Sequence, residues 1–462
     1  MTIARELAKK VVATRYEDLT PGALHYAKIG ILDTLAVGIA GSVDEAAVIA
    51  RKVSGGEAGT ALVWGTAERT SALQAAFANG IAANVLDYDD CTDNLGGHPS
   101  SPLLPASIAL AEQRHLSGRD LLTAYVAGFE LETSLGRGVN FHHYEKGWHP
   151  TATLGVFGAA AACARLLQLD EEQTTRALAL CASLAAGVKS NLGSMAKPMH
   201  VGNCSRSGLL AALLAAEGFT ANADALEHPQ GFLDVFNGPG TYSIERILEK
   251  WGTPWEIEMP GIAVKQYPCC LSTQGAIDVM IGLVREHDVH PDAVTAIDAR
   301  VAARRLQHTD RPRPRSALDA KLSIQYVLSR ALTDRAVSLP HFEGDTYQDP
   351  DVQRAMKLVD VQPFDEPMMN ELGDSGASVV LSLKDGRRLA GRIRRPVGHE
   401  PGVPLSSDLH KSKFEACASG CLSPRQMADL YEGVQAFEDV SDVRRFTACL
   451  EGAQAVPVRR AG

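Results

Sequence analysis

The sequence predicts a mainly α-helical protein: a large all-helical unit built from both ends of the chain, with a smaller α+β unit inserted between them. Three observations predict it. Up to about residue 260 the apolar runs are Ala-rich and of helical length, with small residues that let helices approach closely. Near Pro260 the pattern turns to short alternating runs, the mark of half-buried strands. Beyond the Pro/Gly-rich stretch from Arg395 to Ser406, helical patterning returns. The chain of 462 residues is long enough for two or three cores. The predicted division is 1–261 with 397–462, and 262–396. Two chain crossings would then form a hinge, and clefts between such units favour ligands.

Each element has a local reason. Thr20-Pro21 offers an N-cap hydroxyl and a proline at the first helical position, ahead of an apolar run from Ala23 to Ile39. Ser117 caps a helix from about Asp120 to Ser134. Further helices are predicted over Thr151 to Leu167, Gln173 to Val188 and Ser207 to Glu217. Val294 to Val301 alternates as a strand. Ser378 to Leu383 and Arg388 to Ile393 flank Asp385-Gly386, a hairpin turn in which both residues would need positive φ. Between these strands, Leu318 to Ala331 and Asp351 to Val359 read as helices. Leu409 to Ala418 and Pro424 to Ala436 return the chain to the helical unit.

Composition excludes several classes. A net charge of −10 argues against a nucleic-acid partner, which needs a basic face. Nine cysteines, an odd number scattered through apolar runs, do not read as a disulfide framework and favour a reducing, cytoplasmic setting. Cys269-Cys270 and Cys417/Cys421 lack a second pair at zinc spacing, and His142-His143 lacks the i,i+4 spacing of a helical metal site, so no metal is expected. The segment Met1 to Lys10 has no signal-peptide core, and no stretch reads as a membrane span of about 20 apolar residues. Nucleotide-binding glycine motifs and the G-x-S-x-G elbow are missing, so no cofactor is expected.

Four segments carry candidate chemistry. The first runs from Asn79-Gly80 through Asp87, Asp89, Asp90 and Cys91 to His98. Three carboxylates within four residues, with a histidine eleven positions after the first, suit acid–base work; a solvated acidic loop is the plain alternative, but apolar helices flank it. The second is Gly147-Trp148-His149-Pro150-Thr151. His149 would sit at a helix N-terminus, whose field favours anions and a neutral imidazole able to act as a base. The third, Lys197 to Asn203, places Lys197 in a loop between buried helices, where its charge needs a partner: a substrate carboxylate or an internal Asp. The fourth, Lys265 to Cys270, lies at the predicted boundary, with Lys265 able to close over an anion and the cysteines read as packing or pocket lining.

In order and spacing these segments resemble the MmgE/PrpD family. Further matching pieces are Leu32 to Gly38, Leu62-Val63-Trp64-Gly65, Ser323-Ile324-Gln325-Tyr326, Pro401-Gly402 and Lys413-Phe414, so the likeness spans nearly the whole chain. The resemblance implies a helical domain with a smaller α+β lid, a homodimer, and an active site between domain and lid. It implies cofactor-independent chemistry on a small di- or tricarboxylate, by proton abstraction next to a carboxylate. A 2-methylcitrate dehydratase-like hydro-lyase is the leading expectation. Iminodisuccinate epimerase-like isomerisation and cis-aconitate decarboxylase-like decarboxylation are the alternatives, with a non-catalytic carboxylate-binding protein a remote one. Asp87, His98, His149, Lys197, Lys265 and Tyr326 fall on positions that line the family's pocket, with Cys91 and Cys270 as substrate contacts. Cys91 stands where a Thr is common, and Cys270 where the decarboxylase carries a His; Asn84 and Gln274 each replace a frequent His. Those departures weigh against decarboxylation.

Overall fold

The chain is mostly helical with two small sheets, in a computed structural model that describes residues 2–399 and 402–452. Pro401 and the residues after 452 lie outside the described part.

The helix Pro21–Gly41 begins as its sequence dictates: the Thr20 hydroxyl accepts from the Ala23 amide, and Pro21 fills the first helical position. By length and composition this helix would pass for a membrane span, which the sequence expectation did not grant; yet 67% of its most apolar window is buried by neighbouring helices. Ser117 and Asp120 form a reciprocal capping box on Gly118–Val139. Ala72–Val85 crosses Ala196–Ala216 where two glycines meet: a Cβ on Gly80 would lie 2.8 Å from Gly202 Cα. The absence of side chains there lets the two backbones touch. The C-terminal helix Ser407–Ala418 packs on Pro21–Gly41, and one apolar core takes residues from Leu19 to Val264 and from Leu405 to Leu450.

A separate core, from Tyr267 to Leu383, gathers round a four-stranded sheet. Its order is Val359–Pro363, Val294–Val301, Ala377–Leu383, Arg388–Ile393; the first pair is parallel and the others antiparallel. The helices Leu271–Glu286 and Ile324–Thr333 pack together, the first against the two C-terminal strands and the second against Val359–Pro363.

Several expectations need correction. The parallel strand Val359–Pro363 was not expected: the helix Pro350–Met356 stops early, and the chain continues into the sheet edge. Leu318 to Ala331 is two helices, Ala317–Ala320 and Ile324–Thr333, because Ser323 turns to cap the second through the Tyr326 amide. Thr151 to Leu167 likewise breaks at Leu154, giving Pro150–Thr153 and Gly155–Leu166. The predicted Ser207 helix starts eleven residues earlier, at Ala196, since Pro198 is tolerated in a first turn. In the hairpin only Gly386 has positive φ, at 86°; the Gly386 amide donates to Leu383 O and the Leu383 amide to Arg387 O, so the loop is the three residues Lys384 to Gly386, ending on a left-handed glycine, not a two-residue turn.

Candidate active site

The chain leaves the helix Ala72–Val85 into a tight loop in which Asp87 adopts φ 53°, a left-handed conformation that Asp tolerates better than most residues. That backbone presents the Asp87 carboxylate to three basic groups. Lys265 Nζ donates to Asp87 Oδ1 at 2.5 Å and to its carbonyl at 2.8 Å. Lys197 Nζ lies 3.1 Å and His98 Nε2 3.4 Å from the same Oδ1. Burial opposes the charge on Asp87, but the Lys197 and Lys265 ammoniums and His98 outweigh it and hold the carboxyl well below its usual range. The loop then doubles back through the bridge between Thr92 and Gly97, which brings His98 alongside. Its Nδ1 lies 3.1 Å from Asp89 Oδ2, an oxygen that also accepts from Asn84 Nδ2 at 2.9 Å. Burial lowers the His98 pKa; attraction to Asp89 resists this, and the two lysines reinforce it.

His149 sits immediately before Pro150–Thr153, its amide donating to Gly187 O at 3.1 Å. Its Nδ1 is 3.4 Å from His200 Nδ1, so one of the two atoms carries a proton and the other receives it. The His149 pKa is well below the usual histidine value. The direction matches the expectation from sequence, but the cause is burial first and the nearby Lys197 charge second. Lys197 belongs to the first turn of Ala196–Ala216, not to a loop. It is 8% exposed, and beyond its charge contact with Asp87 its Nζ has no acceptor in hydrogen-bond geometry. An ammonium so placed retains donors for an arriving oxygen.

These groups open onto a cleft with about 670 Å³ of empty space, its mouth included. Asp87, Cys91, His98, His149, Lys197 and Cys270 line it. The far wall comprises residues not picked out from sequence: Tyr144, Ser272, Arg304, Arg305 and His308. Arg304-Arg305 follow the strand Val294–Val301 after two residues, in the first turn of Ala303–Thr309, where Arg304 and His308 are one helical turn apart. That charged pair at a strand end was the available signal.

The remaining expected residues are distributed differently. Lys265 is 1% exposed and is committed to Asp87 behind the cleft wall, so it reaches a ligand through Asp87 and not by direct grip. Tyr326 is fully buried in the sheet-side core; its hydroxyl donates to His341 O and receives Arg330 Nε at 3.1 Å. It is thus not brought to the cleft, because its place on Ile324–Thr333 turns it into that core. Cys91 Sγ is 3.7 Å from His98 Nδ1 and Cys270 Sγ 3.6 Å from His308 Nε2, but burial pushes both thiols up and disfavours a thiolate. Asp87, Asp89 and His98 place three donor atoms within 4.8 Å of one another, a set that could be taken for metal ligands. It does not fit a cation: two ammonium groups already lie 2.5 and 3.1 Å from the Asp87 oxygen that would bind it.

Fold and cleft together describe a mainly helical protein whose cleft joins neutral imidazoles to buried ammoniums. The chain belongs to the MmgE/PrpD family: residues 5–245 match the MmgE/PrpD N-terminal domain and residues 267–438 the MmgE/PrpD C-terminal domain. It is 31% identical to a cis-aconitate decarboxylase of Homo sapiens over 468 residues, covering 98% of this chain and 95% of that protein. A cis-aconitate decarboxylase of Mus musculus is 30% identical, with 98% and 94% covered, and one of Aspergillus terreus is 26% identical, with 85% and 84% covered. With relatives of this kind along its length, the chain is an enzyme of the lyase class.

Proposed function

We propose that this enzyme acts on a small di- or tricarboxylate by moving charge onto the carbon next to a carboxylate, and that it does so as a hydro-lyase on a methylcitrate-like hydroxyacid. The supporting observation is the pairing, in one cleft, of a neutral His149 with a buried Lys197 ammonium that lacks a hydrogen-bond acceptor. Lys197 would take the carboxylate by a charge-assisted bond and stabilise the enediolate-like charge that forms there. His149 would remove the α-proton. The C–H pair then forms the C=C bond as the β-hydroxyl leaves, taking the proton that His149 has removed and departing as water, while a neutral His98 hydrogen-bonds the departing oxygen. Asp87, held ionised by Lys265 and Lys197, would steady His98 and fix the Lys197 ammonium. The donor role suggested for Tyr326 falls away with its burial.

Decarboxylation of cis-aconitate is the second reading. The relatives' names favour it, and so does His308, which supplies an imidazole beside Cys270. Product analysis on a panel of carboxylates separates the two: dehydration yields a new alkene and water, decarboxylation releases CO₂, and an epimerase would only exchange deuterium. Replacing His149 by Ala should cost roughly 10²-fold or more in turnover on whichever substrate reacts. Unchanged turnover would remove His149 from the mechanism.

The same reading takes residues 262–396 as a lid over the helical remainder, in a cytoplasmic homodimer without cofactor. A second contribution to the cleft wall from residues 270–308 supports the lid. Sedimentation of the purified protein at monomer mass would overturn the dimer, and an engineered disulfide across the cleft that leaves turnover intact would overturn lid motion.

A further inference from the structure

Of the cations beside His149, Lys197 and Lys265 are already matched by two carboxylates. Asp87 and Asp89 face Lys197 and Lys265, and burial keeps His98 and His149 below the usual histidine value. A substrate with two or three carboxylates, held there alone, would bring uncompensated negative charge into a buried site, which is costly.

Two further cations line the cleft, Arg304 and Arg305, along with one further carboxylate, Asp93. Arg304 and Arg305 share one carboxylate, Asp374. Arg305 is 5% exposed and is held from behind: Nε donates to Asp374 O at 2.5 Å and Nη2 to Ser375 Oγ at 2.9 Å. Its Nη1 is left with one long contact, 3.5 Å to Ser272 Oγ. Both Arg305 and Ser272 line the cleft. Beside them His308 is neutral, its pKa pushed down to about 3 by burial and by neighbouring cations. Tyr144 Oη lies 3.1 Å from His308 Nδ1 and Ser272 Oγ 3.2 Å from His308 Nε2. A fixed guanidinium, a hydroxyl and an oriented imidazole make a rigid cradle for a planar anion.

We infer that Arg305, Ser272 and His308 form the subsite for a second carboxylate of the substrate, the one remote from the reacting carbon, and so select polycarboxylates over monocarboxylates. This rests on reading the substrate as a di- or tricarboxylate. Arg304, stacked 3.8 Å over Phe141, holds Asp374 and thereby the orientation of Arg305.

Calorimetric titration of the full chain with two unreactive probes tests it: propane-1,2,3-tricarboxylate and butyrate. Arg305→Gln should weaken the tricarboxylate about 10- to 100-fold, the range for a lost charge-assisted bond, and leave butyrate unchanged. Ser272→Ala should weaken it a few-fold while Arg305 stays in place, so the test stands even where R305Q does not fold. Tricarboxylate affinity equal to wild type in folded R305Q, or in S272A when R305Q does not fold, overturns the subsite. A wild-type chain that binds no tricarboxylate overturns the substrate class itself, and the subsite with it.

Discussion

At the scale of single residues, the site works by setting opposite protonation states a few ångströms apart. Asp87 is kept ionised by two ammoniums while His149 is kept neutral by burial and by one of the same ammoniums. Lys197 therefore serves both, and the pH behaviour follows. A base is active when unprotonated, and the His149 pKa lies below its ordinary value of about 6.5. Activity, as kcat/KM, should therefore stay level down through pH 6.5 and fall only at lower pH, as His149 takes a proton. Replacing Lys197 by Met removes a cause of the lowering, so in any residual activity the acid limb should move to higher pH. A pH–rate profile checks both; an acid limb above pH 7 in the wild-type enzyme would contradict the neutral base. Asp87, His98 and His149, which line the cleft, could be picked out from sequence because their neighbours in the chain are informative. Tyr326 could not be placed, since a tyrosine on an amphipathic helix faces core or cleft according to tertiary packing alone.

At the scale of elements, the cleft depends on two helices that cross without side chains between them. Ala72–Val85 leads into Asp87, and Ala196–Ala216 carries Lys197 in its first turn and His200. Their separation is set where Gly80 meets Gly202; a Cβ on Gly202 would come within 2.4 Å of Phe77 O, a backbone atom that has no freedom to swing aside. Gly202→Ala should cost roughly 1–3 kcal/mol of stability, as overpacking does, measured by urea unfolding. It should also lower turnover, because the Lys197 ammonium shifts relative to the Asp87 carboxylate. A G202A protein as stable and active as wild type would show that the crossing does not set the site. Capping made some of this level legible: Thr20 and Ser117 mark true helix starts, whereas the Ser323 cap inside the expected Leu318 to Ala331 helix was missed. The start at Ala196 was hidden, because Gly and Pro in Gly193 to Pro198 read as loop residues, although a first turn accepts Pro. The edge strand Val359–Pro363 was missed as well: Val359-Asp360-Val361-Gln362 alternates, but over only four residues that end at Pro363 and follow closely on a helix.

At the scale of the whole molecule, the far ends of the chain meet behind the site. Lys413, on Ser407–Ala418, pairs with Asp33 of Pro21–Gly41 at 2.5 Å, and its Nζ also donates to Tyr88 O at 2.8 Å, one residue after Asp87. The pair is buried, and burial pushes the Asp33 carboxyl up. Lys413→Ala would leave Asp33 buried and unpaired, at a cost of about 3–5 kcal/mol; uptake of a proton by Asp33 should bring it to the low end. Thermal unfolding reads the stability, and turnover per folded molecule reads the loosened loop; no change in either would detach the C-terminal helices from the site. The sequence announced the C-terminal helices Ser407–Ala418 and Pro424–Gln435, since helical patterning resumes after the Pro/Gly-rich stretch. It did not foretell the far wall of the cleft, because Arg304, Arg305 and His308 belong to a segment whose strand pattern drew the eye and whose side chains meet Tyr144 and Ser272 only in three dimensions.

The most direct measurement is a crystal structure of the protein with propane-1,2,3-tricarboxylate bound. One carboxylate should lie about 3 Å from Lys197 Nζ, within hydrogen-bond reach, with the adjacent carbon facing the His149 ring. A ligand seated elsewhere, or one that touches neither Lys197 nor His149, would contradict the idea that these distant segments converge on a single carboxylate.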